Sequence, residues 1–233
     1  MEHIKPGNKL RLRSKVLLVV LAFFCLIGSM TAVAYWRFVY PTGRVISGLY
    51  AIRTHNNGIP MGNLFLLQAG DNYIAIDTGG DYAETETGLR KLGISANDII
   101  AVFVTHSHWD HIGALSLFDS ATIYTGDTEH SAFPNVPHQV MTEGEIIELP
   151  GILIQCLYTP GHTIDHVCYL VDGSYLFAGD LFITTNDSPF EKRYDKELQL
   201  EYRDKMLGLD GIKYVFTAHF GLFKDVRFYR WWY

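Results

Sequence analysis

Four residues able to bind a metal ion fall within six positions: His106, His108, Asp110 and His111, in the run Thr105-His106-Ser107-His108-Trp109-Asp110-His111. The run follows a continuous apolar stretch, residues 99–104, of the length and character of a buried strand. In extended backbone, residues two apart point to the same side. His106 and His108 can therefore converge on one ion, while Asp110 and His111, where the chain turns into a helix, can serve a second. A lone histidine is commonly a core or surface residue. Several imidazoles packed together, however, gain nothing without an ion to satisfy them. Three more candidates sit at the ends of apolar segments: His162 in Thr159-Pro160-Gly161-His162-Thr163, Asp180 in Ala178-Gly179-Asp180, and His219 in Thr217-Ala218-His219. Each lies next to a small residue, and clustered strand ends are where layered α/β folds build their sites. A donor set of imidazoles and carboxylates suits zinc best, with iron or manganese as alternatives.

These residues need a frame of strands to hold them. Strand composition is evident over residues 45–53, 63–69, 72–77, 99–104, 122–124, 145–149, 152–158, 166–171, 175–178 and 213–217. Helices are predicted over 82–92, ended by Gly93, over a short segment from near His111 that carries Ile112, Leu115 and Phe118, and over the charged stretch 195–207. Many strands with interspersed helices predict a layered α/β protein. There is no internal repeat, low-complexity tract or linker, so residues 41–233 read as one domain. Residues 184–194 are expected to border the candidate site, with Asn186, Asp187, Lys192 and Arg193 as candidate polar groups there.

Residues 1–40 differ in character. Residues 16–34 carry no charge, and five basic residues precede them. A helix of that length rises about 28 Å, close to the thickness of a bilayer core. This predicts a cytoplasmic basic stub and a transmembrane anchor. The rival reading is a signal peptide, with Ala32-Val33-Ala34 as its cleavage site. Either way the body is expected outside the cytoplasm, anchored to the membrane or secreted after cleavage following Ala34. Residues 1–34 carry a net +4, so the remainder of a chain of net charge −6 carries −10. An acidic body excludes the phosphate-neutralising surface of a nucleic-acid binder. Of the three cysteines, Cys156 and Cys168 lie in neighbouring strand-like stretches and could face one another if these form a hairpin, though two buried thiols are the commoner outcome. The terminal run Phe228-Tyr229-Arg230-Trp231-Trp232-Tyr233 is expected to dock on the body, with the membrane surface as an alternative.

The order HxHxDH, then GH, GD and H, resembles the signature of the metallo-β-lactamase superfamily, over nearly all of the body. The resemblance implies an αββα sandwich, the metallo-β-lactamase fold, with two facing mixed sheets. It implies two divalent metal ions: one on His106, His108 and His162, a second on Asp110, His111 and His219, with Asp180 bridging them. Asp77, in Ile76-Asp77-Thr78-Gly79, matches a further family motif and is expected behind the ligands, as is His166. The stretch TPGHTxxH with GDLF looks most like the glyoxalase II-like branch. The residues after Asp180, Leu181-Phe182-Ile183-Thr184-Thr185, depart from glyoxalase II itself and point away from glutathione thioesters. The implied activity is hydrolysis of an ester-type bond (thioester, lactone or phosphodiester) in a small-molecule substrate by a metal-bridging hydroxide, with Asp110 orienting the nucleophile. The alternatives are an iron-dependent sulfur dioxygenase or oxygen-using relative, and a non-catalytic, membrane-tethered metal-binding module.

Overall fold

Strand β5 (Leu64–Ala69) sends its side chains alternately into two different cores. Phe65 and Leu67 join one apolar cluster, Leu64 and Leu66 another. The same alternation holds in β6 (Asn72–Ile76) and β7 (Ile99–Phe103), where Ala75 and Val102 oppose Ile74, Ile76 and Phe103. Continuous apolar strands of this kind are buried on both faces. The structure, a computed structural model, describes residues 42–56, 59–126, 136–183, 195–219 and 221–223. The N-terminal apolar segment, the 184–194 stretch and the terminal aromatic run lie outside the described residues. Among the described residues no helix is long and apolar enough to cross a membrane.

Two mixed sheets face each other. The first has the order β1 (Gly43–Ile46), β2 (Leu49–Ile52), β5, β6, β7, β8 (Thr122–Thr125) and β9 (Gln139–Val140), parallel from β6 onward. The second runs β10 (Ile146–Leu149), β11 (Ile152–Tyr158), β12 (Val167–Val171), β13 (Tyr175–Phe177), β14 (Tyr214–Thr217) and β15 (Gly221–Phe223), with only β13 and β14 parallel. A short hairpin, β3 (His55–Asn56) with β4 (Ile59–Pro60), stands apart. Between the sheets, Phe103 stacks on Tyr124 at 4.8 Å and meets Tyr169 edge-on at 5.4 Å, and Phe65 meets Phe177 at 5.4 Å.

Helix α1 (Tyr82–Leu92) packs Leu89 against the outer face of the first sheet, beside Leu115 and Phe118 of a one-turn 3-10 helix. Helix α3 (Lys196–Leu207) packs Met206 against the outer face of the second sheet, on Leu176 and Val215. The layers are therefore α, β, β, α. Helix α1 has the expected bounds: Gly93 terminates it, and Asp81, which accepts from Glu84 N–H at 2.8 Å, caps its start. Asp195 caps α3 in the same way.

Two expectations change, and of the two readings of the cysteines the commoner one, free buried thiols, holds. Residues 45–53 form two antiparallel strands rather than one, because Ser47-Gly48 turns the chain and Gly48, at φ 74°, supplies the left-handed residue. The helix expected from His111 through Phe118 breaks into the single turn α2 (Trp109–Ile112) and the 3-10 helix. Cys156 and Cys168 sit on paired strands but do not face each other. Cys156 pairs with Tyr169 and Cys168 with Leu157, and that one-residue offset sends the thiols to opposite faces of the sheet. Both are free, and burial pushes each up to about 12.

Candidate metal centre

Strands β6 and β7 run parallel, and so in direction do β11, β13 and β14, so their carboxyl ends gather at one edge of the sandwich. Asp77 follows β6 and His106 lies just beyond β7. His162, Asp180 and His219 come within a few residues of the ends of β11, β13 and β14. Helix α2 turns back at once: His108, still extended, caps it, and His111 N–H donates to His108 O at 2.9 Å. That turn carries Asp110 and His111 back over the strand ends.

All seven candidate ligands meet there, in two groups. In the first, His108 Nδ1 lies 3.0 Å from His106 Nε2 and 3.1 Å from His162 Nε2. Asp180 Oδ2 completes it, 3.4 Å from His162 Nε2 and 3.9 Å from His106 Nε2. In the second, Asp110 Oδ2 lies 3.2 Å from His219 Nε2 and 3.8 Å from His111 Nε2. Asp180 Oδ1 is 3.4 Å from both of those imidazole nitrogens. A tetrahedron with arms of about 2.1 Å has edges of about 3.4 Å, so each group matches the shell of one zinc-sized ion. Two buried atoms facing this space, His111 Nε2 and Asp180 Oδ1, make no hydrogen bond of good geometry. An ion would satisfy both, and the donor set fits two divalent cations.

A sequence profile of the metallo-beta-lactamase superfamily matches residues 57–219, more than half of the chain and the whole span of these ligands. The chain belongs to this superfamily. Among curated relatives, it is 30% identical over 137 residues to an atrochrysone carboxyl ACP thioesterase of Claviceps purpurea, covering 55% of this chain and 42% of that protein. It is 29% identical over 175 residues to a lactamase-like protein of Neosartorya fischeri, covering 70% and 49%. The chain thus spans less than half the length of these relatives. Solved structures agree in fold: a metallo-beta-lactamase family protein of Thermus thermophilus superposes with a TM-score of 0.63 at 21% identity, over 79% of this chain and 77% of that one. A subclass B3 metallo-beta-lactamase from a soil metagenome gives 0.60 at 18% identity, over 79% and 81%.

The two groups differ electrostatically. Burial holds His106 well below its ordinary value, with His111 adding to the effect, and brings His162 down to about 4. Both are neutral at pH 7, with lone pairs available. Burial acts the same way on His111 and His219, but carboxylates overcome it. Asp180, Asp77 and Asp110 hold His111 well above the usual range, and Asp180 with Asp110 raises His219 to about 9. Burial alone would raise the Asp180 carboxyl, yet His219 and His111 hold it well below the carboxylate range. Asp110 is lowered too, by His111 and His219 against the effect of burial. Without metal, the second group therefore keeps protons that an ion must displace below about pH 9. Zinc binding there is expected to release protons and to tighten by about tenfold per pH unit, for each proton displaced, between pH 6 and 9. His106 and His162, already neutral, should add little dependence over that range. Calorimetric zinc titrations at several pH values would check this, and equal pH-independence of both steps would refute it.

The supporting residues lie one layer further in. Asp77, at φ 58° and buried, accepts from His111 Nδ1 at 2.8 Å and so turns His111 Nε2 into the site. His166, buried behind the first group, contributes no atom to it. Its Nε2 accepts from the Asp180 backbone N–H at 3.2 Å, so its Nδ1 carries the proton and donates to Thr159 Oγ1 at 2.8 Å. Gly179 at φ 47° makes that approach feasible: a Cβ there would lie 2.8 Å from Thr105 Oγ1 and 2.9 Å from His166 Nε2.

Some of the support was missed in the sequence. Asp165 accepts from Ser107 N–H at 3.0 Å and holds the segment between His106 and His108. Gln199 of α3 donates to the carbonyls of Asp180, Leu181 and Ile183 at 3.1–3.3 Å. The Asn63 amide donates to Ala218 O at 2.5 Å, beside His219. Only Asp165 carried a local signal, as a carboxylate inside the His162–His166 motif. His55 and His138 stand outside the site: His55 contacts Glu84, and His138 contacts Val136 O.

Proposed function

We propose that this chain is a metal-dependent hydrolase that uses two divalent cations, zinc before iron or manganese, to cleave an ester-type bond in a small molecule, with thioesters the first class to test. The observation that carries this reading is the Asp180 carboxylate, which turns one oxygen to the imidazoles of each group. His106, His108, His162 and Asp180 would hold one ion, and Asp110, His111 and His219, with the other oxygen of Asp180, would hold the second. When bound, such a pair supplies a Lewis acid and lowers the pKa of coordinated water from about 15.7 to about 7. The residues do the rest. Asp77 and His166 fix ligand orientation. Asp110, held anionic and partly exposed, can accept a proton and orient the attacking group. The thioesterase names among the relatives favour a thioester over a lactone or phosphodiester. The uncharged stretch 16–34 and the basic residues before it support a body on the outer side of a membrane, anchored or released after Ala34.

The test is elemental analysis of the purified protein, paired with hydrolysis of thioester, lactone and phosphodiester substrates before and after chelation. Two zinc ions per chain, with activity lost to the chelator and restored by zinc, is the expected result. A metal-free protein that hydrolyses at undiminished rate, or one iron with oxygen consumption and no hydrolysis, would overturn it.

A further inference from the structure

Thr105 lies between the two groups and gives a ligand atom to neither. Its hydroxyl oxygen is 3.0 Å from both carboxylate oxygens of Asp77, 3.1 Å from His106 Nδ1 and 3.5 Å from His111 Nδ1. Its backbone N–H donates to Asp77 Oδ1 at 2.8 Å. Thr105, Asp77, His106 and His111 are all buried, so the network must satisfy itself without bulk water.

Counting protons settles its direction. A hydroxyl has one proton to give, and an ionised carboxylate only accepts. The Thr105 proton goes to Asp77, so toward His106 the hydroxyl oxygen can only accept. His106 therefore carries its proton on Nδ1, leaving a bare lone pair on Nε2, the atom that faces His108 and Asp180. On the other side, His111 gives its Nδ1 proton to the same Asp77 and turns Nε2 toward Asp110 and Asp180. One hydroxyl and one carboxylate thus serve an imidazole in each group.

We infer that Thr105 is a positioning residue: its hydroxyl sets the tautomer of His106 and, through the shared Asp77, joins that choice to the orientation of His111. This rests on the reading of His106 and His111 as metal ligands. A neutral imidazole has two tautomers, and the wrong one would present an N–H to the ion. Partners behind ligating histidines typically change metal affinity by about 10–100-fold when removed.

Thr105→Val keeps the shape of the side chain without the hydroxyl; Thr105→Ser keeps the hydroxyl. Two measurements on the full chain decide the matter: imidazole nitrogen NMR of the metal-free protein, and zinc affinity by competition with a chromophoric chelator. The wild type should show His106 protonated on Nδ1. Thr105→Val should give mixed tautomers and zinc affinity weaker by about 10–100-fold, while Thr105→Ser keeps both properties of the wild type. A wild-type His106 protonated on Nε2 overturns the inference, as does a Val variant that binds zinc like the wild type. So does a Thr105→Ser variant that binds zinc about 10–100-fold more weakly than the wild type, a comparison that stands even if the Val variant fails to fold. A wild type that binds no zinc overturns the metal reading instead, and the imidazole spectrum still decides the role of Thr105.

Discussion

Asp180→Ala should lower turnover of the best ester substrate by at least about 10³-fold while leaving the fold intact. The loss is large because both groups lose an oxygen at once: Oδ2 faces His162 and His106, and Oδ1 faces His111 and His219. Electrostatic stabilisation of a developing oxyanion by a metal amounts to several kcal/mol, and about 4 kcal/mol corresponds to about 10³ in rate. The fold should survive because the ties of this loop run through its backbone. Asp180 N–H donates to His166, and Asp180 O accepts from Gln199, whatever side chain stands there. Metal stoichiometry and kcat/KM measured on the same preparation, with a thermal melt as control, would check this. A variant that keeps two ions and wild-type kcat/KM would refute the bridging role.

The largest effect on stability is expected at Phe103. The ring is fully buried, stacked at 9° on Tyr124 and edge-on to Tyr169, whose hydroxyl donates to Val104 O at 2.8 Å. Truncation to Ala leaves a cavity between two sheets that cannot collapse onto it, a loss of about 3–5 kcal/mol. Phe103 also accepts from Asp77 N–H at 2.9 Å, two residues before Thr105, so the cavity opens directly beneath the site. Trp109, by contrast, is 53% exposed, and its removal should change stability by no more than about 0.5 kcal/mol. Chemical denaturation of both variants would show the contrast; comparable losses would mean that Trp109 packs in a way its exposure does not reveal.

Chemistry and local periodicity were legible without coordinates. Four candidate ligands in six residues, each further one closing an apolar strand, pointed to a candidate ion site because buried imidazoles and carboxylates need a partner. The end of α1 followed from Gly93, and the layered α/β class from the recurrence of apolar strands, since both rest on contacts a few residues apart. Contacts distant in the chain belong to the tertiary structure. Only the fold decides that Asp180 divides its two oxygens between groups, and that His108 offers Nδ1 where the other histidines offer Nε2. It also decides that His166 supports Asp180 from behind, and that Gln199 holds a loop 18 residues away. The cysteines show the reason most simply. Their strands do pair, but a register shifted by one residue turns Cys156 and Cys168 to opposite faces. Register and side-chain direction follow from how whole sheets pack, which residue types alone do not specify.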